Sequence, residues 1–290
     1  MTGQSDRAAS PAPSPTPILE LIGVSRQFSG IMAVHDVSLT VYPGEVACLL
    51  GDNGAGKSTL IKIMSGVHQP SSGEVRVDGR AIEIGSPRAA QALGIGTVHQ
   101  DDGNLPLMSV SRNFFLGREP VKGRGPLRRI DRRIAGEITM REVAALGVTR
   151  VTNADQPVGS LSGGERQALA ISRALYFGAR ILILDEPTSA LGVREAGVVL
   201  RLIGQARTRG VAVVFITHNA HHAMSVGDRF TVLIHGEVAE QFRRGERTRE
   251  ELLNLMAGGR ELESLQAALE EMHDDADRPE PAIHPTGGRA

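Results

Sequence analysis

Residues 51–58 carry the pattern G-x-x-x-x-G-K-S, reading Gly-Asp-Asn-Gly-Ala-Gly-Lys-Ser, and an apolar run precedes them. Such a loop between a strand and a helix binds phosphate, because glycines let backbone N–H groups turn inward towards phosphate oxygens. Lys57 supplies positive charge to the β- and γ-phosphates, and the Ser58 hydroxyl can ligate Mg²⁺. The loop therefore predicts a binding site for ATP and Mg²⁺ formed by Gly51, Asp52, Asn53, Gly54, Ala55, Gly56, Lys57, Ser58 and Thr59.

Two carboxylates end a second apolar run. Residues 181–184 read Ile-Leu-Ile-Leu, and Asp185 and Glu186 follow them. Asp185 is placed to hold Mg²⁺ through water, and Glu186 is the candidate general base that polarises an attacking water. Alternatively, an acidic pair at this position could simply be the solvent-exposed end of a strand, without a catalytic role. Its distance after the phosphate-binding loop favours ATP hydrolysis.

The first third of the chain has β-type patterns. Residues 18–24, 33–41 and 44–50 read as strands, and residues 71–80 read as a hairpin with an Asp-Gly turn. Together they suggest an antiparallel sheet lying against the nucleotide site.

Later segments alternate between strands and helices. Continuous apolar runs at 180–185 and 212–217 are typical of buried parallel strands, and residues 193–208 between them predict a helix. Residues 95–98 read as a further short strand, and 229–235 and 237–241 as a last strand pair. From 101 to 177 the β pattern fades, and helices are predicted at 112–116, 134–146 and 164–176. We expect an α/β fold: a P-loop NTPase core with a mostly parallel sheet, an N-terminal antiparallel β subdomain and an inserted helical subdomain.

Composition limits the functional classes. The net charge of −1 gives no support to a nucleic-acid partner. No apolar run approaches the roughly 20 residues that span a bilayer, and a single cysteine, Cys48, excludes an internal disulfide. We therefore expect a cytoplasmic protein. Residues 1–17 read as a disordered leader, 18–258 as the nucleotide-binding domain, and 259–290 as a short acidic helix with a disordered tail.

The most specific motif lies between the loop and the acidic pair. Residues 161–165 read Leu-Ser-Gly-Gly-Glu, at the start of a predicted helix. The chain resembles the ATP-binding cassette (ABC) family, whose signature is LSGGQ or a near variant, over about residues 18–258. In this family the signature contacts the γ-phosphate of ATP bound to the opposite subunit, so the resemblance implies a head-to-tail dimer. Alternatively, or in addition, Ser162 and Glu165 form a capping box. The signature residues are Ser162, Gly163, Gly164 and Glu165.

Three further positions match the family. Gln100 occupies the position that senses Mg²⁺ and the state of the permease, and His218 the position of the switch histidine that contacts the γ-phosphate. Phe28 occupies the aromatic position that stacks on adenine. By this resemblance the catalytic set is Glu186, His218, Lys57 and Gln100, and the Mg²⁺ ligands are Ser58, Gln100 and Asp185.

One position departs from the family pattern. The segment after the acidic pair usually reads Ser-Ala-Leu-Asp, whereas Gly192 stands here in place of the aspartate. The run 189–193, with residues 94–101 and 111–119, resembles the ATPases of bacterial monosaccharide importers of the ribose, xylose and fructose type, and the single-cassette fructose type most.

This resemblance implies a homodimer at the cytoplasmic face of the cell membrane, held there by membrane permease subunits and served indirectly by a periplasmic sugar-binding protein. The permease is expected to dock on the helical subdomain in a groove lined by Phe114, Phe115 and Leu116, although these side chains could equally pack the subdomain core. The alternatives are an ABC ATPase for another cargo, a non-transport ABC ATPase, or a cassette that no longer hydrolyses ATP.

Overall fold

The computed structural model describes residues 16–100, 103–148 and 151–258. The predictions for residues 1–15 and 259–290 lie outside the described residues. Twelve strands are formed within the described ranges: β1 Leu19–Phe28, β2 Ile31–Val41, β3 Val46–Leu50, β4 Ser72–Val77, β5 Arg80–Ala81, β6 Ile95–Val98, β7 Val121–Lys122, β8 Arg129–Ile130, β9 Ile181–Asp185, β10 Ala212–Thr217, β11 Arg229–Ile234 and β12 Glu237–Arg243. The described helices are α1 Lys57–Met64, α2 Pro87–Ala92, α3 Val110–Phe114, α4 Arg132–Ala145, α5 Gly163–Tyr176, α6 Val193–Thr208, α7 Ala220–Val226 and α8 Arg249–Met256.

The central sheet has six strands in the order β12-β11-β3-β10-β9-β6, and all neighbours are parallel except β12 with β11. Its middle strands are buried on both faces, which explains their unbroken apolar sequences. Alternate residues of β3, β9 and β10 enter two separate cores. One core holds the helices α3 to α8, and the other holds α1, α2 and the N-terminal strands.

The N-terminal sheet is antiparallel, with strand order β2-β1-β4-β5. It confirms the predicted antiparallel subdomain with one correction. The third predicted strand, now β3, belongs to the central parallel sheet, where it lies between β10 and β11. All five of its residues are buried, which a half-exposed antiparallel sheet does not require.

Helices α3, α4 and α5 lie between β6 and β9, as predicted for the inserted segment. The fading β pattern does not predict the two-residue hairpin β7–β8, and nothing in the patterns predicts α2, α7 or α8. None of the helices in the described ranges combines the length and apolarity needed to cross a bilayer.

The expectation that Phe114 and Phe115 line an open groove is wrong. Both side chains are buried, and their rings pack against Tyr176 and Phe177 at the end of α5 with centroid distances of 5.3 to 6.3 Å. This aromatic cluster joins α3 to α5 and forms the core of the inserted segment. Leu116 is half-buried.

Candidate functional site

The predicted site residues come from four neighbouring strands. In the parallel register Leu50 of β3 pairs with Thr217 of β10, Ile216 pairs with Asp185 of β9, and Leu184 with Val98 of β6. The carboxyl ends of parallel strands meet at one edge of the sheet, where open α/β sheets bind their ligands. The phosphate-binding loop, Glu186, His218 and Gln100 follow these strand ends and therefore lie at the same edge.

The loop after β3 requires its glycines. Gly51, Gly54 and Gly56 have φ values of 145°, 88° and 97°, in the region that favours glycine. A Cβ at Gly51 would lie 2.4 Å from the Leu233 carbonyl oxygen, and one at Gly56 would lie 2.6 Å from Val34 Cγ1. A side chain at Gly51 or Gly56 would therefore clash with its neighbours, and the loop keeps this close packing only with glycine at these positions.

Lys57 holds the loop from inside. Its buried Nζ donates to the carbonyl oxygens of Gly51 at 2.6 Å and Asp52 at 2.9 Å. Burial lowers the pKa of Lys57, against the opposing effect of the nearby carboxylates of Glu186, Asp52 and Asp185. Three carboxylates facing one buried cation leave the site with a net negative charge, so a polyphosphate would bind here together with a divalent cation that offsets this charge.

Glu186 and His218 form the most informative pair of the site. Glu186 has φ 48°, an unusual value for a non-glycine residue, and its N–H continues the ladder to the Ile216 carbonyl at 3.0 Å. Its Oε1 lies 2.9 Å from His218 Nδ1, whereas Oε2 is buried with no hydrogen-bond partner in the structure. A strained backbone and an unsatisfied carboxylate oxygen are typical of a catalytic position, since both cost free energy that packing alone would not retain.

The residues predicted to hold Mg²⁺ line one cleft with the loop. Ser58, Gln100, Asp185 and Glu186 all face this cavity of about 600 Å³, a volume in the range of small-ligand sites. Hydroxyl, amide and carboxylate oxygens suit Mg²⁺, which needs few protein ligands because phosphate oxygens and waters complete its shell. The donor set and the unsatisfied Glu186 Oε2 therefore fit a hydrated magnesium–nucleotide complex.

Phe28 is not among the residues that line the cleft. Its ring instead meets His68 edge-on at 5.2 Å, with the Arg26 guanidinium 4.7 Å from its centroid. The apolar side chains at the cleft mouth are Ile31 and Met32, which are 74% and 48% exposed. Sequence reasoning missed both, and also His235; two apolar residues three and four positions after Phe28 were the available signal.

The signature residues form a capped helix start. The Glu165 N–H donates to Ser162 Oγ at 3.4 Å, and the Ser162 N–H donates to Glu165 Oε2 at 2.8 Å, which is the predicted capping box. A Cβ at Gly164 would lie 3.0 Å from Glu195 Cβ and 3.2 Å from the Glu195 backbone, so glycine lets α5 pack closely on the first turn of α6. None of the four signature residues lines the cleft of their own chain.

Gly192 occupies the N-cap position of α6. Its N–H donates to Glu195 Oε2 at 3.3 Å, and its φ of −67° is open to any residue. No heavy atom lies within 4 Å of a Cβ built there. Packing within the chain therefore does not explain the absence of the aspartate.

A second histidine connects the segments that carry Glu186 and His218. His222 Nδ1 lies 3.0 Å from Oγ1 of the buried Thr188, two residues after Glu186. The His222 N–H donates to Asn219 Oδ1, which caps α7 directly after His218. Burial lowers the pKa of His222, followed by the effects of His221 and His218. The neutral form is thus favoured in the folded chain.

We expect this histidine to make stability pH-dependent. An unfolded His222 binds its proton near the ordinary pKa of 6.5, and the folded chain binds it only at lower pH, so stability present above about pH 6.5 is lost as the pH falls. His222→Gln removes the titration and can keep the hydrogen bond to Thr188. Urea unfolding between about pH 7.5 and 5 should give a shallower loss of unfolding free energy for His222→Gln than for the wild type. Equal slopes would contradict the assignment.

The family model and the curated relatives that match this chain indicate the same family. The model of the ABC transporter family matches residues 34–189. The chain is 40% identical over 220 residues to the fructose import ATP-binding protein FrcA of Rhizobium meliloti, covering 74% of this chain and 84% of that protein. It is 39% identical over 251 residues to the ribose import ATP-binding protein RbsA 1 of Rubrobacter xylanophilus, covering 83% of this chain and 47% of that protein.

The chain spans about half the length of most of the curated relatives it matches, with 44% to 48% of each covered. Its fold is similar to the dimeric structure of MJ0796, a bacterial ABC transporter cassette, with a TM-score of 0.66 and 24% identity, covering 79% of this chain and 100% of that one. At this identity the likeness concerns the fold alone.

Proposed function

The chain belongs to the ABC transporter family, and from this premise we propose that it is the ATP-hydrolysing subunit of a bacterial monosaccharide importer. The observation that carries the proposal is the Glu186–His218 pair beside the phosphate-binding loop, with one buried carboxylate oxygen unsatisfied. The sugar class is supported by similarity to fructose and ribose import proteins. Residues 18–258 would form the nucleotide-binding domain.

Binding would use the loop first. The N–H groups of the loop and the start of α1 face the β- and γ-phosphates, and Lys57 Nζ exchanges the carbonyls of Gly51 and Asp52 for phosphate oxygens. Mg²⁺, when bound, would neutralise charge on the phosphates, held by Ser58, Gln100 and Asp185. The apolar Ile31 and Met32 offer a surface for the base at the cleft mouth. Stacking of adenine on Phe28 stays a prediction.

Hydrolysis would use the carboxylate as general base. A water between the Glu186 carboxylate and the γ-phosphorus attacks in line and gives its proton to that carboxylate; the bond from the γ-phosphorus to the bridging oxygen breaks, releasing ADP and phosphate. His218 holds the carboxylate by its bond to Oε1. Its side chain is 53% exposed, and so it can also reach a γ-phosphate.

The site needs a second chain to be complete. Residues 162–165 lie outside the cleft of their own chain and form the start of α5, and a helix N-terminus is a natural anion site. In a head-to-tail homodimer this helix start would close over the γ-phosphate held by the partner.

The permease would dock at a cleft between β6 and the inserted segment. This cavity of about 290 Å³ is lined by Arg118, Arg173 and Phe177 on one side and by Val98 and His99, just before Gln100, on the other. A permease segment bound in this cleft would act on the nucleotide site through Gln100, which lines the nucleotide cleft. The chain would thus be peripheral at the cytoplasmic face of the membrane, with a periplasmic sugar-binding protein acting through the permease and no role for nucleic acid.

Arg118 gives a test of the docking cleft. Its exposed guanidinium lies 4.9 Å from the Phe177 ring and bonds to Gln91. Arg118→Glu should weaken permease association by about ten-fold or more, because it reverses a charge inside the interface, and should leave ATP affinity unchanged. Pull-down with the permease measures the first and nucleotide titration the second. Arg209→Glu, an exposed arginine at the end of α6, is the matched control; equal retention of both variants would place the docking surface elsewhere.

Co-purification tests the function itself. The tagged chain, isolated from its native membrane in mild detergent, should bring down a permease and a sugar-binding protein, and ATP hydrolysis in the reconstituted complex should rise when a monosaccharide is supplied. A partner permease for a different cargo would overturn the sugar assignment. Turnover stimulated by DNA or ribosomes with no permease would overturn transport.

A further inference from the structure

A strongly basic hairpin projects from the inserted segment. Strands β7 and β8 pair Val121 with Ile130 and Lys122 with Arg129, and α4 begins two residues later. Residues 121–133, here called the basic hairpin, contain six cations and one carboxylate, although the whole chain has a net charge of −1. The six cations are all exposed: Lys122, Arg124, Arg128, Arg129, Arg132 and Arg133.

Most of this charge is not neutralised by the part of the chain that the structure describes. The only carboxylate, Asp131, is buried; it caps α4 through the Ile134 N–H and lies 4.0 Å from Lys122. Arg133 pairs with Glu137. Four cations form no ion pair with any residue in the described ranges: Arg124, Arg128, Arg129 and Arg132.

The backbone of the hairpin is held by hydrogen bonds, so its positive charges stay close together and their repulsion destabilises the hairpin. The Asp131 N–H donates to the Pro120 carbonyl at 2.8 Å, and the tip is closed by bonds from Leu127 and Arg128 to Arg124 and Gly125. Lys122 and Arg129 stand directly opposite each other in the register. Like charges in that arrangement destabilise a strand pair, and an anionic partner would remove the penalty.

Exposed aliphatic side chains accompany the cations. Leu127 at the tip is 72% exposed, and the paired residues Val121 and Ile130 are 44% and 48% exposed. Cations interleaved with exposed aliphatic residues are typical of surfaces that bind the headgroup region of an anionic bilayer, where the apolar groups enter the acyl boundary. A nucleic acid would use the cations and leave the aliphatic side chains in water.

The hairpin also lies next to the proposed permease cleft. Val121 is three residues after Arg118, so the chain between them spans at most about 11 Å. This step alone rests on the proposed function, because a permease in the cleft would bring the hairpin near the membrane. The charge and the apolar pattern stand without it.

We propose that the basic hairpin binds the surface of a bilayer containing anionic phospholipids. Contact of the guanidinium groups with lipid phosphates, together with insertion of Leu127, would fix the cassette against the membrane beside its permease. Phospholipid headgroups are the partner, and no covalent step is involved.

Flotation with protein-free vesicles tests the proposal with the full chain. The wild type should bind vesicles in which roughly one third of the lipid is phosphatidylglycerol, and should bind phosphatidylcholine vesicles at least about ten-fold more weakly, with binding falling as salt rises. Arg128→Glu combined with Arg129→Glu should lower partitioning into anionic vesicles by about 30-fold or more, and Leu127→Ser by about five-fold. Arg88→Glu combined with Arg209→Glu, two exposed arginines elsewhere, is the control and should bind like the wild type.

Several outcomes would overturn the proposal: equal binding to both vesicle types, wild-type binding by the Arg128/Arg129 variant, an equal loss in the control, or binding of RNA with no binding of vesicles. Circular dichroism and ATP titration check that the variants remain folded, and ATP affinity should be unchanged because these residues lie outside the nucleotide cleft. The vesicles hold no permease. Failure here therefore leaves the proposed transport function to its own co-purification test.

Discussion

Replacing Glu186 by glutamine is expected to lower the rate of ATP hydrolysis by about 10²–10⁴-fold, the usual contribution of a general base. Glutamine has nearly the same shape, and its amide oxygen can keep the contact with His218 that Oε1 now makes. The amide cannot accept the proton of the attacking water, and the buried Oε2 that has no partner in the structure is the atom lost. ATP binding should persist, because Lys57 and the loop are unchanged.

Phosphate release in a single turnover, measured on the purified chain alone and with its permease, checks this expectation. Glu83→Gln, an exposed carboxylate outside the cleft, is the matched control and should hydrolyse ATP at the wild-type rate. Equal rates for Glu186→Gln and the wild type would remove Glu186 from the mechanism.

Ser162→Asp is expected to abolish hydrolysis while the fold stays intact. Aspartate caps a helix as well as serine does, so the start of α5 should keep its stability to within about 0.5 kcal/mol. The new carboxylate would however face the γ-phosphate bound by the partner chain. Loss of a donor at a developing anion costs about 10²–10³-fold in rate, and repulsion should add to it.

Two measurements separate this effect from unfolding. ATP affinity of the dilute chain should equal that of the wild type, because Ser162 lies outside its own cleft, whereas hydrolysis at high chain concentration should be lost. Ser86→Asp makes the same change at the N-cap of α2 and should preserve activity. Wild-type turnover by Ser162→Asp would contradict a role for the signature at the γ-phosphate.

The parts predictable from sequence were those whose signal is local. The loop at residues 51–58 dictates its own backbone through Gly51 and Gly56, and strands buried on both faces, such as β9 and β10, show continuous apolar runs. The apolar pattern of a buried strand does not show which sheet the strand joins, and the prediction that β3 belongs to the antiparallel sheet is therefore wrong. The capping box at Ser162 was likewise readable, because its two partners are three residues apart.

Features that depend on distant partners were not predictable. The sequence around Phe114 is equally compatible with a side chain that lines a groove and with one that packs in a core. Only its contact with Tyr176, 62 residues later in the chain, decides between the two. The Glu186–His218 contact joins residues 32 apart; the acidic pair indicated Glu186 and the family resemblance indicated His218, but neither predicted that the two side chains meet. Phe28 stays a prediction from a family position: in the structure Arg26 and His68 contact its ring, and Ile31 lines the cleft.

Mixing two inactive variants tests the composite site most directly. Lys57→Ala has an impaired phosphate-binding loop and an intact signature, whereas Ser162→Asp has an intact loop and an impaired signature. In a mixed dimer the intact loop of the Ser162→Asp chain would face the intact signature of the Lys57→Ala chain. If the site is shared between two chains, mixing equal amounts should restore about a quarter of the wild-type rate, since half of randomly paired dimers are mixed and each holds one intact site. If mixing restores no hydrolysis, the site is not built across two copies of this chain.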